Sequence, residues 1–441
     1  MKNKKIQSLI MSGVLVIAAA AGLAGCKPDH THSYTSDVYY RVNAEQTKAY
    51  TFNKCSCGHI GHEQEMASGT YVIVSADQTA ENYVQKVLNT NINNKTVIFA
   101  PGEYTELMEL TPSRETATIY EAVLDEEELP TGEPSSTVVD LNDVVERDYY
   151  VYERNYKNIT FAGTEGAVLK NRIALVNGSA RNYNSYIGKG GRFDPIKDDY
   201  DWPEGMTANY AFYLMQSFDG LTFKNLKFEG ALGRIFIQLG FAYSKTNKDV
   251  TVENCSFTTD VPHHSTSETK GSSWDAAVHV SVADKYLFNE ETGYDESQKV
   301  CGLENVIYKN NYVEKHFIGL YVQAMNGATI TGNIIKNTED VGISVQNNET
   351  SLFTGVINIK DNSIDGSGNR AMRVSSNKDA TITVSGNIMK NITEADGSES
   401  FLKINVGSGS KLTCTNNTID GKNVEDVEEG TNSTYDFTRP E

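Results

Sequence analysis

The chain has 441 residues with 58 acidic and 39 basic side chains, a formal net charge of −19. That balance leaves no basic stripe for nucleic acid and opposes close contact with anionic lipid. Its cysteines, Cys26, Cys55, Cys57, Cys255, Cys301 and Cys414, are too few and too scattered to staple a disulfide scaffold.

The chain begins with a targeting pattern. Lys2, Lys4 and Lys5 precede a largely apolar stretch over 6–20, and Leu23, Ala24 and Gly25 stand before Cys26. The apolar run is shorter than the ~20 residues a membrane span needs, which leaves a secretory signal of some kind. The pattern resembles a bacterial lipoprotein signal with its lipobox. The resemblance implies cleavage before Cys26, lipidation of Cys26, and an exported chain anchored to the bacterial cell membrane and facing outside. The organisation expected is a signal over 1–25, a Cys/His segment or linker over 26–69, a repeat domain over 70–425 and a tail over 426–441.

Residues 27–66 hold His30, His32, Cys55, Cys57, His59 and His62. A Zn²⁺ ion takes four such donors at tetrahedral angles, and Cys55-x-Cys57-Gly58-His59-x-x-His62 can supply them, with glycine permitting the turn. The ligand set expected is Cys55, Cys57, His59 and His62, holding a structural zinc. A polar linker, or a disulfide between Cys55 and Cys57, accounts for the same residues. The segment also looks like small His- and Cys-containing modules at the start of other bacterial surface lipoproteins.

Over 80–89, Tyr83, Val84, Val87 and Leu88 recur at helical spacing after Asp77 and Thr79, which predicts a short amphipathic helix capping the domain that follows. The stretch 97–104, with its Pro101-Gly102 turn, reads as a first strand and turn. Residues 111–150 carry the acidic run 125–128, read as a solvated loop. Over 181–206, Asp194, Asp198, Asp199, Asp201 and Glu204 are dense enough to hold Ca²⁺ beside a groove, though without EF-hand or nonapeptide spacing.

From Phe223 onward one pattern recurs: an apolar residue, any residue, Asn, Asp or Gly, a residue that is usually Asn, any residue, and an apolar residue. It reads FKNLKF from Phe223, VENCSF from Val252, YKNNYV from Tyr308, ITGNII from Ile330, IKDNSI from Ile359, VSGNIM from Val384 and CTNNTI from Cys414. Successive copies start 29, 56, 22, 29, 25 and 30 residues apart, the period of a solenoid, with the doubled gap marking an insertion. Asn, Asp or Gly at the bend tolerates a left-handed corner, and stacked coils let the following Asn amides form hydrogen-bonded ladders.

A second strand recurs as FYLM from Phe212, IFIQ from Ile235, VHVS from Val278, LYVQ from Leu320, ISVQ from Ile343, MRVS from Met372 and LKIN from Leu402. Its first and third residues are apolar, so the second and fourth face outward. One outward column is Tyr213, Phe236, His279, Tyr321, Ser344, Arg373 and Lys403; the other is Met215, Gln238, Ser281, Gln323, Gln346, Ser375 and Asn405.

The paired strand and Asn bend, as in GISVQ from Gly342 followed by INIKDNSI from Ile357, resemble the right-handed parallel β-helix of the pectate-lyase-like superfamily, over roughly 70–425. The resemblance implies an all-β fold and a substrate groove along the outward columns. It carries no Asp pair like that of the polygalacturonase-like hydrolases and no Arg-x-Pro-x-x-Arg pattern of classical pectate lyases.

The doubled period locates the chemistry, because loops inserted on a rigid scaffold are where specificity is built. Two excursions flank the His279 strand, and the first brings Trp274, His263 and His264 as substrate contacts. Tyr213 and Phe236 can stack on pyranose rings, and Gln238, Ser281, Gln323 and Gln346 can reach hydroxyls. Relatives of this fold cleave uronic-acid polysaccharides by β-elimination, which needs a base, an acid and a neutralised carboxylate. His279 is the candidate base and Tyr321 the candidate acid, with Arg373, Lys403 or Lys285 meeting the carboxylate. The expected partner is an extracellular polysaccharide, engaged by a monomeric protein that is of lyase type if it is an enzyme. A non-catalytic glycan-binding or adhesive protein, and a structural spacer, are the alternatives.

Overall fold

The computed structural model describes residues 32–88, 90–105, 107–110, 116–121, 135–140, 150–151, 156–170, 172–175, 212–214, 218–229, 235–239, 247–259, 276–282, 287–289, 293–295, 303–323, 325–346, 355–376, 378–393 and 400–438. Cys26, the acids between Asp194 and Glu204, Met215, His263, His264, Trp274 and Lys285 lie outside them.

Each coil contributes one strand to each of three stacked sheets, in a fixed order. Sheet 1 holds the strand before the Asn bend, such as Phe218–Lys224; sheet 2 holds the three-residue strand after it, Lys227–Glu229; sheet 3 holds the strand of the outward columns, Ile235–Leu239. Neighbouring coils pair parallel in all three, and with one antiparallel closing strand each the sheets hold 11, 10 and 10 strands. This is an all-β parallel β-helix, and the crossover between parallel strands takes the right hand that twisted strands impose. The column strands therefore stand a full sheet 1 strand ahead of the next Asn bend.

Register turns the repeat into a core. The first apolar residue of each motif copy pairs with the next along sheet 1, from Phe161 to Phe223, Val252, Tyr308, Ile330, Ile359, Val384 and Cys414. The last does the same along sheet 2, from Phe228 to Phe257, Val313, Ile335, Ile364, Met389 and Ile419. All are buried in one continuous cluster. Like stacks on like: the Phe161 and Phe223 rings lie 5.6 Å apart, and those of Phe228 and Phe257 4.7 Å and nearly coplanar in orientation. Val252 pairs directly with Tyr308, so the doubled gap belongs to one long coil.

The corner between sheets 1 and 2 is turned by Asn225, Asn254, Asn310, Gly332, Asp361, Gly386 and Asn416, all at φ between 54° and 68°. This left-handed region suits Asn, Asp and Gly and is costly for other residues. At Gly332 a Cβ would also meet the Asn310 side chain at 2.4 Å. The next residue points inward and builds the ladder. Backbone N–H groups of Cys255, Asn311, Asn333, Asn362 and Asn387 donate at 2.9–3.0 Å to the side-chain oxygens of Asn311, Asn333, Asn362, Asn387 and Asn417. Each Asn Nδ2 in turn donates to a carbonyl of the coil before, at Val252, Tyr308, Ile330, Ile359 and Val384. The ladder amides are thus satisfied inside an apolar core, while at the first two corners Asn225 Oδ1 and Asn254 Nδ2 are buried without a partner.

The other corners use the same device. Lys315, Asn337, Gly366 and Asn391 turn the chain into sheet 3, and Asn158, Gly220, Asp249, Asn305 and Gly327, each third in its sheet 1 strand, bend those strands, all at positive φ.

Both ends are closed. The helix expected over 80–89 is a single turn, Val84–Leu88, with Val84 and Leu88 buried in the main core. It starts late because Asp77 accepts hydrogen bonds from the Thr79 N–H and hydroxyl, forming a tight turn, and Ser75 bridges to Tyr83. At the far end Val427–Thr431, Lys422–Asn423 and Thr434–Thr438 pair antiparallel to the last strands of sheets 1, 2 and 3. The segment read as a tail supplies two of these strands, and Glu428, Glu429 and Asp436 place charge on the closing edge, where it discourages further pairing.

The segment before the solenoid folds as an antiparallel sheet of Tyr39–Val42, Ala49–Lys54 and Ile60–Glu65. It lies on the outer face of sheet 1. Outward-facing Ile73, Ile98 and Ala100 form a small core with Ala49, Tyr40, Val42, Met66 and Tyr71. Tyr40 bridges to Thr164, Asn225 Nδ2 donates to the Val38 carbonyl, and Lys309 Nζ reaches Asp37 at 3.4 Å.

Two outcomes test this picture. Asn362→Leu strips the ladder bonds of Asn333 and of the Ile330 carbonyl and is expected to cost about 1–3 kcal/mol in urea unfolding, whereas Asn423→Ala at the exposed closing edge should stay within about 0.5 kcal/mol. Burial pushes the Cys255 and Cys414 thiols up to about 12, so mass mapping should find both unalkylated in native protein near pH 8 and fully alkylated after denaturation.

Candidate functional site

The first outward column of sheet 3 is continuous in register. Tyr213 pairs with Phe236, then His279, Tyr321, Ser344, Arg373 and Lys403 follow one per coil. In the second column Gln238 pairs with Ser281, Gln323 with Gln346, and Ser375 with Asn405. Their inward neighbours Leu320, Val322, Ile343, Val345, Met372, Val374, Leu402 and Ile404 belong to the core. Alternation therefore assigns the two sides of this sheet.

Exposure along the column is uneven. His279, Tyr321 and Ser344 are only 2%, 3% and 1% exposed. The His279 and Tyr321 rings stack face to face at 4.7 Å, and Tyr321 joins Phe317, Ile318 and Ala276 in a separate apolar cluster on the outer face. The Tyr321 hydroxyl donates to Gln323 Oε1 at 3.0 Å, and Gln346 Nε2 donates to Ser344 Oγ at 2.8 Å. On the coil after Ser344 the face opens: Arg373 is exposed and, one coil later, Lys403 is half-buried, its Nζ 3.9 Å from Asp436. Asn405 Nδ2 donates to Ser375 Oγ at 3.1 Å, and Thr434 donates to Asn405 Oδ1 at 3.0 Å.

These positions bear on the expected roles. His279 and Tyr321 are neighbours, but a face-to-face stack does not aim the phenol at the imidazole edge, and the phenol is engaged by Gln323. Arg373 stands three rungs from His279, roughly 14 Å along the stack. That span exceeds one sugar ring, so base and cation would meet different residues of a chain. For Tyr213, Phe236, Gln238 and Ser281 the register is what the structure describes.

The Cys/His segment departs from its expected ligand set. Cys55 and Cys57 form a disulfide, and the histidine beside both sulfurs is His32, whose Nδ1 lies 3.5 Å from Cys55 Sγ and 3.4 Å from Cys57 Sγ. His59 stacks on His32 at 4.1 Å and shares a 2.9 Å hydrogen bond with the Tyr34 hydroxyl, while His62 meets the Tyr34 ring edge-on at 4.8 Å. Strand pairing is the reason. The antiparallel bridge from Tyr34 to Cys55 carries His32 across to the cysteines, a contact that local spacing does not reveal. Among the described residues, His32, Cys55 and Cys57 are the one His, Cys or acidic group whose donor atoms converge within 4.8 Å.

Asp37, Tyr40, Asn225 and Lys309 fix the Cys/His module against sheet 1; Asn225 and Lys309 stand in the repeat motif, which carries no sign of this second role. The regular outward Lys, Glu and Thr of sheet 1 were the available signal.

The chain matches no protein-family model and no curated protein sequence. Two solved structures show a weak likeness to it. One is described as Geobacillus virus E2 ORF18, 9% identical at a TM-score of 0.24, over 95% of this chain and 75% of that one. The other is a hyperthermoactive exopolygalacturonase from Thermotoga maritima, 12% identical at a TM-score of 0.20, over 77% of this chain and 88% of that one. At such scores neither likeness carries an argument about chemistry.

Proposed function

We propose that the protein is an exported, lipid-anchored β-helix that binds extracellular polysaccharide along the outer face of sheet 3. The observation that carries this reading is the unbroken register of that face. Aromatic, amide, hydroxyl and cationic side chains follow one another at about 5 Å per coil, a spacing that suits an extended chain of sugars. The early part of sheet 1 is already covered by the N-terminal module. Sheet 2 offers only strands of three residues or fewer over most of its length, such as Tyr312–Glu314.

Within sheet 3, the open end is where contact would begin. Arg373 and Lys403 are adjacent in register and, with Asp436 beside Lys403, leave a local excess of positive charge on a chain of net charge −19. Such a pair would attract a uronate or sulfate group, while Ser375, Asn405 and Gln346 offer donors and acceptors to hydroxyls. Export and anchoring rest on the signal and Cys26. Among the described residues no helix is long and apolar enough to cross a membrane.

A lyase using His279, Tyr321 and Arg373 is the second reading, favoured by the one-rung contact of the first two. Their burial and the three-rung gap to Arg373 favour the binding reading over it.

Electrophoresis of the chain without its signal, through gels containing pectic, alginate or glycosaminoglycan polymers, tests the proposal. Retardation by at least one polymer is expected, weakened about tenfold or more, some 1.4 kcal/mol, in Arg373→Ala/Lys403→Ala and unchanged in Lys360→Ala on sheet 1. Free migration in every gel would overturn it. A growing unsaturated-uronate absorbance that vanishes in His279→Ala would establish the lyase reading in its place.

A further inference from the structure

We propose that His32, Cys55 and Cys57 form a zinc site when the cysteine pair is reduced, with water as the fourth ligand. Around tetrahedral Zn²⁺, bonds of about 2.3 Å to sulfur and about 2.05 Å to nitrogen set the S···N separation of adjacent ligands near 3.5 Å. The His32 Nδ1 atom already lies 3.5 and 3.4 Å from the two sulfurs. Only the sulfur pair has to open, to an S···S separation of about 3.8 Å by the same geometry.

The backbone holds the donors for this purpose. Cys55 is fixed by its bridge to Tyr34, its N–H donates to the His59 carbonyl at 3.0 Å, and its carbonyl accepts from Gly58 N–H at 2.9 Å. That turn, with Gly58 at φ 84°, folds Cys57 back beside Cys55. His32 is oriented by its stack on His59, and His59 by Tyr34. Of the histidines first read as ligands, His59 thus acts as a packing and hydrogen-bonding support of the site, the role outer groups play at metal centres, and His62 lies one ring further out, against Tyr34. Cys55 is buried while Cys57 and His32 are partly exposed, which leaves an approach for the fourth ligand. Two thiolates and an imidazole select Zn²⁺ over Ca²⁺ or Mg²⁺.

The two forms exclude each other. A thiol or phosphine reductant gives two electrons to the disulfide, which takes up two protons and becomes two thiols. Zn²⁺ then displaces those two protons and binds both thiolates. Oxidation of the pair to the disulfide returns two electrons to the oxidant and removes both anionic donors.

Co²⁺ is the probe, added to the full chain carrying Cys26→Ser and Cys301→Ser, in detergent, with and without phosphine reduction. The reduced protein is expected to bind one equivalent with near-ultraviolet thiolate-to-cobalt charge transfer and the visible bands of tetrahedral cobalt, all bleached by Zn²⁺; the unreduced protein should show neither. Cys57→Ser should abolish the charge transfer, His32→Ala should weaken cobalt binding tenfold or more, and His62→Ala should leave it within twofold. Protection of Cys255 from alkylation reports that each variant is folded. Reduced, folded protein without the charge-transfer band, or a band unmoved by Cys57→Ser or His32→Ala, would overturn the site.

Discussion

Every coil of this molecule has to turn corners inside a core that excludes water. A corner exposes backbone N–H and carbonyl groups that cannot belong to either flanking strand, and leaving one buried without a partner costs about 1–3 kcal/mol. The Asn ladder answers this by letting each amide accept from the backbone of one coil and donate to the carbonyl of another. Because the bonds run between coils, the corners of neighbouring turns must align. Alignment of corners then forces alignment of the apolar columns on either side.

Stacking of like on like follows from that alignment, and so do the ends. A solenoid whose coils are interchangeable has no intrinsic stop, and its last strands present unpaired edges. Here the final residues reverse direction and pair antiparallel on all three sheets, so the closing strands satisfy the edge without offering the geometry of another coil. At the opposite end Val84 and Leu88 close the core with two side chains from a single helical turn.

The three faces acquire different fates from the same scaffold. Sheet 1 is the docking surface of the N-terminal module, through a few apolar residues at otherwise polar outward positions, Ile73, Ile98 and Ala100. Sheet 3 keeps a registered row of aromatic, amide and basic side chains, closed around His279, Tyr321 and Ser344 and open at Arg373. The glycan-binding reading depends on the open end, and the zinc reading depends on none of it. The module is a separate antiparallel sheet whose own pairing creates its chemistry.

The period, the residues of the Asn bend, the inward columns and the direction each column strand faces are legible in the order of the amino acids. Those properties are local: a left-handed bend admits few residue types, and strand alternation has a period of two, so both leave a trace at fixed spacing. The bends within sheet 1 and the corners leading into sheet 3 left a fainter trace, since single residues such as Asp249 and Lys315 stand there without a repeated flanking pattern. Tertiary structure alone decided what lies over an outward residue and which distant residues meet. His279 and Tyr321 face outward as their alternation requires, yet lie buried. His32 displaced His59 and His62 at the cysteines because an antiparallel bridge, closing across more than twenty residues, set that contact. Alternation specifies a side of a sheet, and only long-range packing specifies what occupies it.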